Sequence, residues 1–350
     1  MCRNNNNKLN LRDLNQSEIQ HFIKDLGEKP FRADQICRWV FAQGVSSFDE
    51  MTNLSKGLRA KLNELTTLSQ ATILTSQVSA KGDTIKFLFG LPDGHAVESV
   101  LMKHTYGNSV CVSTQVGCRM GCLFCASTIN GLVRNLSPGE IYDQVLGIQR
   151  ETGERVSHIV IMGAGEPLDN FDNVLKFLEN IHAEYGLNIG YRHITLSTCG
   201  LVPRMQELAL RKLPITLAVS LHAPNDDLRD KLVPINRRYK IHQLIEACSN
   251  YIEITGRRIT FEYALLSGIN DSDEHVRQLA ALLKNLLCHI NLIPVNPVEE
   301  KEFIRTPPEK VERFRQYLEK VGLNVTVRRE LGGDIDAACG QLRRRYESKN

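Results

Sequence analysis

Three cysteines carry the strongest chemical signal in the chain: Gly117-Cys118-x3-Cys122-x2-Cys125, with Phe124 beside the last of them. Thiolates at this spacing can hold three irons of a four-iron, four-sulfur cluster and leave the fourth iron open for an exogenous ligand, whereas a complete ferredoxin-type site uses four cysteines. Zinc is the competing reading, with Cys111 or Cys199 completing a tetrahedral set. The second Cys-x2-Cys pair of a zinc ribbon is absent. All ten cysteines belong to a 350-residue chain whose start, Met1-Cys2-Arg3 followed by Asn4 to Asn7, lacks the apolar core of a signal peptide. Metal or thiol chemistry in the cytoplasm is therefore expected, rather than a disulfide framework.

Those thiols need a scaffold, and the apolar patterning supplies one. From Ser109 onward short β-rich runs alternate with helical stretches: Val110 to Thr114, His158 to Met162, His193 to Ser197, Ile215 to Leu221, Ile259 to Leu265 and Ile290 to Val295. Such alternation predicts an α/β fold with a parallel sheet and helices outside. Six βα units are too few for an eight-stranded barrel, so a laterally open, partial (β/α)6 TIM-like barrel is expected over 109–330. The cysteine motif follows its first strand, where such folds place their active sites. Ser137-Pro138-Gly139-Glu140 reads as a capping box with proline at the first helical position.

Two smaller units precede the barrel. Residues 1–80 read as an all-α, helix-hairpin-helix-like domain. Asn15 with Glu18 forms a capping box, and Ile19, Phe22, Ile23 and Leu26 share a face; a later helix places Leu58, Leu62 and Leu65 opposite Lys56, Arg59 and Lys61. Short helices joined by Gly-containing turns suit contact with a nucleic-acid backbone, and equally suit an ordinary packing module. Residues 81–108 read as a β-hairpin connector, turning at Pro92-Asp93-Gly94. Charge decides little: 43 Lys and Arg against 40 Asp and Glu leave a net +3. No apolar run approaches the roughly 18 residues a membrane helix needs.

The cysteine spacing resembles that of the radical S-adenosylmethionine enzymes, and four further motifs follow in order. These are Met162-Gly163-Ala164-Gly165-Glu166-Pro167, Leu196-Ser197-Thr198-Cys199-Gly200, Ser220-Leu221-His222-Ala223-Pro224-Asn225 and Ala337-Ala338-Cys339-Gly340-Gln341-Leu342. Together they resemble the RlmN family of adenine-carbon-2 RNA methyltransferases over essentially the whole chain. The resemblance implies that Cys118, Cys122 and Cys125 ligate a 4Fe-4S cluster whose open iron takes the amino and carboxylate groups of S-adenosyl-L-methionine. It implies cofactor contacts from Gly165, where a glycine permits close backbone approach, and from Glu166, whose carboxylate can accept from the cofactor's ammonium. Ser197, Ser220, Leu221, His222 and Asn296, at later strand ends, are implied for its ribose, carboxylate and adenine. Ala164 stands where many relatives have methionine.

Adenine carbon-2 is not nucleophilic, and the family's route implies two S-adenosyl-L-methionine molecules per turnover. One methylates Cys339, in a C-terminal loop over 331–350; the other, cleaved by the reduced cluster, provides a radical that takes a hydrogen from that methyl group. The methylene radical adds to adenine, Glu98 moves the proton, and Cys111 attacks the Cys339 sulfur to release product through a transient disulfide bond. The implied substrates are an adenosine of 23S rRNA in the peptidyl-transferase region and the adenosine beside the tRNA anticodon, with electrons from a donor such as flavodoxin and its reductase. Contacts to the RNA backbone are expected from the N-terminal helices and from Arg237-Arg238, Arg328-Arg329 and Arg343 to Arg345. A cytoplasmic monomer without membrane attachment is expected. The nearest alternative is a Cfr-type enzyme acting at adenine carbon-8 of 23S rRNA; a radical enzyme for a small molecule or protein, and a zinc-stabilised RNA-binding module without catalysis, are further ones.

Overall fold

The computed structural model, described over residues 8–68, 71–294, 303–328, 335 and 342–343, begins with three helices. They are α1 (Gln16–Asp25), α2 (Phe31–Phe41) and α3 (Lys56–Leu65), packed through Ile19, Ile23, Ile36, Val40, Leu58 and Leu62. A short parallel pair, β1 (Leu9–Asn10) with β2 (Thr66–Thr67), closes the unit. The expected capping box forms: the Asn15 side chain accepts from the Glu18 amide at 2.9 Å, and the Glu18 carboxylate accepts from the Asn15 amide at 2.8 Å. Leu65, expected on the buried face, is 43% exposed, because α3 ends there and the chain turns into β2.

The chain then enters one sheet of ten strands. The antiparallel wing β3 (Thr72–Val78), β4 (Thr84–Gly90) and β5 (Ala96–His104) leads to β6 (Gly107–Cys111). A separate hairpin, β7 (Gln115–Gly117) with β8 (Leu132–Asn135), frames the cysteine loop. From β6 the sheet continues in parallel through β9 (Val156–Ile161), β10 (Ile194–Thr198), β11 (Thr216–Ser220), β12 (Ile259–Leu265), β13 (Cys288–Pro294) and β14 (Val325–Val327). Parallel pairing demands long crossovers. These carry α4 (Pro138–Thr152), α5 (Phe171–His182), α6 (Val202–Leu210), α7 (Asp226–Leu232), α8 (Ile241–Thr255), α9 (Asp273–Leu283) and α10 (Pro308–Lys320). β3 and β14 are the two edges and do not pair with each other, so the barrel is open. Ser137 and Glu140 form the expected capping box of α4, with Pro138 at its first turn.

Three expectations are corrected. The stretch 1–80 is not all helical: Thr72–Val78 is a strand, with exposure alternating along it instead of following a helical stripe. The 81–108 hairpin is more than a connector, since β5 pairs with β6, Val100 opposite Cys111, and so extends the barrel sheet. All six expected parallel strands are present with small shifts at their ends, and β14 is an addition; three residues are too few to leave a period in the sequence.

The helical unit shares one apolar core with the barrel. Arg12 is fully buried and donates to the Asp143 carboxylate on α4 at 2.9 Å and to the Val45 carbonyl at 2.7 Å. Asp13 accepts from the Gly139 amide at the start of α4, and burial lifts its carboxyl to about 6. No helix among the described residues is long and apolar enough to cross a membrane.

Candidate active site

Strand ends, cysteine loop and wing together line a cavity of about 400 Å³. Cys118, Cys122 and Cys125 lie in its wall, as do Cys111, Gly165, Glu166, Ser197, Ser220 and His222. The cysteine loop leaves β7 at Gly117, where φ is +79° and an added Cβ would sit 2.0 Å from the Gly131 carbonyl oxygen. The Cys118 amide donates to that same oxygen at 2.9 Å. Behind the loop, Cys118 and Met120 pack on Cys199, Leu232, Val233 and Leu266.

Burial pushes the Cys118 thiol up to about 12 and raises Cys122 as well, and the neighbouring thiols add to both. Thiols that resist ionising together suit a cationic centre, which binds them as thiolates. Among the described residues no group of three or more His, Cys, Asp or Glu is arranged for a single metal ion. Three thiols on one loop, all in the wall of one cavity, are the donors that three irons of a four-iron cluster take, so the residues fit that group.

Glu166 is buried beyond β9. Its carboxylate accepts from the Leu168 amide at 3.1 Å and the Cys199 amide at 2.8 Å, while its own amide donates to Gln115 Oε1 at 2.8 Å. Burial raises its carboxyl and these donors draw it back. Gly165, at φ +108°, has a reason of its own to be glycine: a Cβ would lie 2.7 Å from Gln115 and 2.8 Å from Thr114. Ser197 and Ser220 bring their hydroxyls to 3.4 Å from each other. His222 Nδ1 accepts from the Ala264 amide at 3.0 Å, which leaves the proton on Nε2. Burial, aided by Arg229, lowers the ring to about 3, so it is neutral at pH 7. Leu221 does not line the cavity: its side chain is in the core, and its carbonyl accepts from Arg229 Nε at 3.1 Å.

Cys111 and Glu98 occupy the same face of the wing, with Val100 between them in register. Glu98 is buried against Lys86, its Oε2 3.0 Å from Nζ, and does not line the cavity. Asn296 and Cys339 lie outside the described residues. Of the basic residues expected on RNA, Arg237, Arg238 and Arg328 are exposed, Arg328 at the cavity; Arg343 is buried, which corrects that expectation, and Arg329, Arg344 and Arg345 lie outside the described residues.

Sequence reasoning missed three buried charges. Arg229 reaches back from α7 to the strand ends; Glu262 sits in the cavity wall, level with Ser220 on β11 and accepting from Asn291 at 2.8 Å; and Lys86 holds Glu98. A charge inside an apolar strand, as in Ile85-Lys86-Phe87 and Phe261-Glu262-Tyr263, was the available signal.

Residues 9–68 match the family model of the ribosomal RNA large subunit methyltransferase N-terminal domain, and residues 112–280 that of the radical SAM superfamily. The chain is 60% identical to a probable dual-specificity RNA methyltransferase RlmN of Pelotomaculum thermopropionicum, over 97% of this chain and 92% of the relative. It is 54% identical to the protein of that description in Clostridium tetani, over 98% of each. The crystal structure of a radical SAM methyltransferase from Sphaerobacter thermophilus superposes with a TM-score of 0.91 at 46% identity, covering 95% of this chain and 98% of that one. With the triad of loop thiols facing a single cavity in an open barrel, and likeness of this extent along both its parts, the chain belongs to the RlmN family of dual-specificity RNA methyltransferases within the radical SAM superfamily.

Proposed function

We propose that this enzyme methylates carbon-2 of adenosine, in the peptidyl-transferase region of 23S rRNA and beside the anticodon of tRNA, through a methyl group carried on Cys339. The observation that carries this reading is the position of Cys111, whose thiol shares one cavity with the three loop thiols. Membership of the superfamily implies a four-iron, four-sulfur cluster and S-adenosyl-L-methionine, which when bound supply an electron and a carbon-centred radical.

The chain's own residues do the rest. Cys118, Cys122 and Cys125 hold the cluster as thiolates. The Ser197 and Ser220 hydroxyls, the His222 Nε2–H, Glu166 and Asn296 would hydrogen-bond the cofactor, with Gly165 contributing backbone; Leu221, outside the cavity with its amide and carbonyl both engaged, does not join this set. Cys339 would take its methyl group from one S-adenosyl-L-methionine and lose a hydrogen from it when a second is bound, two per turnover. Glu98 takes the proton from carbon-2, and the Cys111 thiolate attacks the Cys339 sulfur; the sulfur–carbon bond breaks with its electron pair going to the carbon, which takes up a proton to become the product's methyl group, and a transient Cys111–Cys339 disulfide bond remains. Burial raises the Cys111 thiol, while Arg328, the Met162 backbone and Lys86, in that order, draw it back toward the thiolate that this attack needs, against a smaller push from Glu98. The N-terminal helices contact RNA, a donor such as flavodoxin with its reductase supplies electrons, and the protein works in the cytoplasm as a monomer.

Mass spectrometry of nucleosides from treated RNA, resolving the two methyladenosine isomers, tests the reading. We expect 2-methyladenosine; the 8-methyl isomer would instead establish a Cfr-type enzyme. Cys339→Ala is expected to lose methylation with iron and sulfide retained, and Cys111→Ala to accumulate a covalent enzyme–RNA adduct. Methylation by the Cys339→Ala protein overturns the scheme.

A further inference from the structure

Lys86 has no exposed surface, although it sits in the wing, two strands from the barrel's parallel tract. Register explains which face it occupies. Lys86 pairs with Val100, Leu88 with Glu98 and Gly90 with Ala96, while Val100 pairs onward with Cys111. Lys86, Leu88, Ala96, Glu98, Val100 and Cys111 therefore share one face of the wing. The opposite face carries Phe87, Phe89, Val97 and Leu101 into the main core.

Two residues near the chain's end lie on the first of these faces. Leu342 packs with Leu88 and Ala96 in a small apolar cluster of its own. The Arg343 amide donates to Glu98 Oε1 at 2.8 Å, while Lys86 Nζ holds Oε2 at 3.0 Å. Both Glu98 oxygens are thus engaged, one by a lysine and one by a backbone amide from 245 residues along the chain.

We propose that the buried Lys86–Glu98 pair is a docking site for the chain's own Leu342–Arg343 segment, with Glu98 supplying the acceptor for the Arg343 amide and Lys86 the counter-charge that a buried carboxylate requires. Taken with the role given to Cys339 above, the site has a purpose. Cys339 precedes Arg343 by four residues, at most about 14 Å of chain. Cys111 is two residues along β5 and one strand over from Glu98, roughly 8 Å. Docking thus confines the methyl-carrying sulfur to the neighbourhood of the sulfur that must attack it. It also ties docking to the charge on Glu98: a proton received by the carboxylate makes it a weaker acceptor for the Arg343 amide, so proton transfer favours undocking.

The test uses the full chain, purified without oxygen with its cluster and given neither S-adenosyl-L-methionine nor RNA. Deleting one partner alone would strand a buried charge, so both are replaced. Lys86→Met with Glu98→Leu removes the acceptor for the Arg343 amide; Lys86→Met with Glu98→Gln removes the charges and keeps an acceptor. Hydrogen exchange of the peptide spanning Leu342 and Arg343, read by mass spectrometry, is expected to quicken at least tenfold in the first variant and to stay near wild type in the second, at similar melting temperatures. Iodoacetamide labelling of Cys339 should follow the same order. Leu342→Ala, which leaves both charges in place, should also quicken exchange. Wild-type exchange in both the Leu-bearing pair and Leu342→Ala overturns the proposal. The readout needs no turnover, so a docking site that stands while Cys339→Ala still methylates RNA separates this inference from the reading it builds on.

Discussion

Arg12 and Arg229 are both fully buried, yet they are satisfied in different currencies. Arg12 meets a carboxylate, that of Asp143, and one carbonyl. Arg229 meets no carboxylate among the described residues. It donates to the carbonyls of Cys199 at 2.7 Å, Ser220 at 3.0 Å and Leu221 at 3.1 Å, and to the Asn236 side-chain oxygen at 3.0 Å. Asp226 and Asp230 touch it only through Asn236, at 2.8 Å and 2.6 Å. Burial works against the charged form of Arg229, and the groups that favour it are first of all Cys199 and Cys122. A buried charge without a counter-charge costs several kcal/mol even after relaxation. The joint between helical unit and barrel is therefore paired charge to charge as folded, whereas Arg229 is a buried cation beside Cys199 and Cys122 with no carboxylate on it among the described residues. A structural charge brings its partner; a functional one leaves room for a ligand.

The comparison breaks most visibly at the joint. Asp143→Ala leaves Arg12 buried and unpaired, and should destabilise the protein by about 3–5 kcal/mol in urea unfolding, with iron and sulfide content unchanged. Arg12→Met with Asp143→Leu should recover most of that loss. A double variant as unstable as the single would mean that the pair is not what joins the two parts.

Arg229→Gln sharpens the other side. Charge-assisted bonds to carbonyls are worth about 1.5–3 kcal/mol, so a loss of that order is expected in the same unfolding assay. The distinguishing readout is the cluster's reduction potential, which should become more negative when the nearby cation is removed, since reduction adds negative charge. Neither Arg12 variant should move it. A potential that stays put in Arg229→Gln would make the two arginines equivalent after all.

Local signals account for what was legible in the sequence. Capping at Asn15 and Ser137, six parallel strands and the cysteine loop each depend on residues close together in the chain, and each is found in place. The wing was half legible: its turn at Pro92-Asp93-Gly94 is local, but the pairing of Val100 with Cys111 that carries it into the barrel sheet is a matter of register. Arg12 and Arg229 were illegible for a related reason, whereas Lys86 was marked by its place in an apolar strand. Arginine is mostly exposed, and only knowledge of the partner, 131 residues away for Arg12, turns one into a buried residue. Ser197, Ser220 and His222 were placed by motif, and each does reach the cavity; Leu221, from the same motif, turns its side chain into the core because neighbouring strand residues face opposite sides.

Acid gives the smallest effect, and its sign tests the joint separately from the site. Asp13 sits beside the Arg12–Asp143 pair, and its carboxyl is raised from 3.8 to about 6 by burial, against the pull of Ser137 and the Gly139 amide. A carboxyl with a raised folded-state pKa holds a proton that the unfolded chain has already released between these two values. Its contribution to stability is therefore present at low pH and is lost as pH rises through about 6. For a side chain still partly in contact with water, the change should be about 1–2 kcal/mol between pH 4 and 7. Asp13→Asn keeps an oxygen for the Gly139 amide and has no charge to release, so wild type minus variant should slope downward with pH over that range. Asp143 complicates only the size, because the Asp13 charge also raises it and the substitution removes that push. Both effects have one sign, so parallel unfolding free energies for the two proteins from pH 4 to 7 would show that the joint carries no burial strain at Asp13.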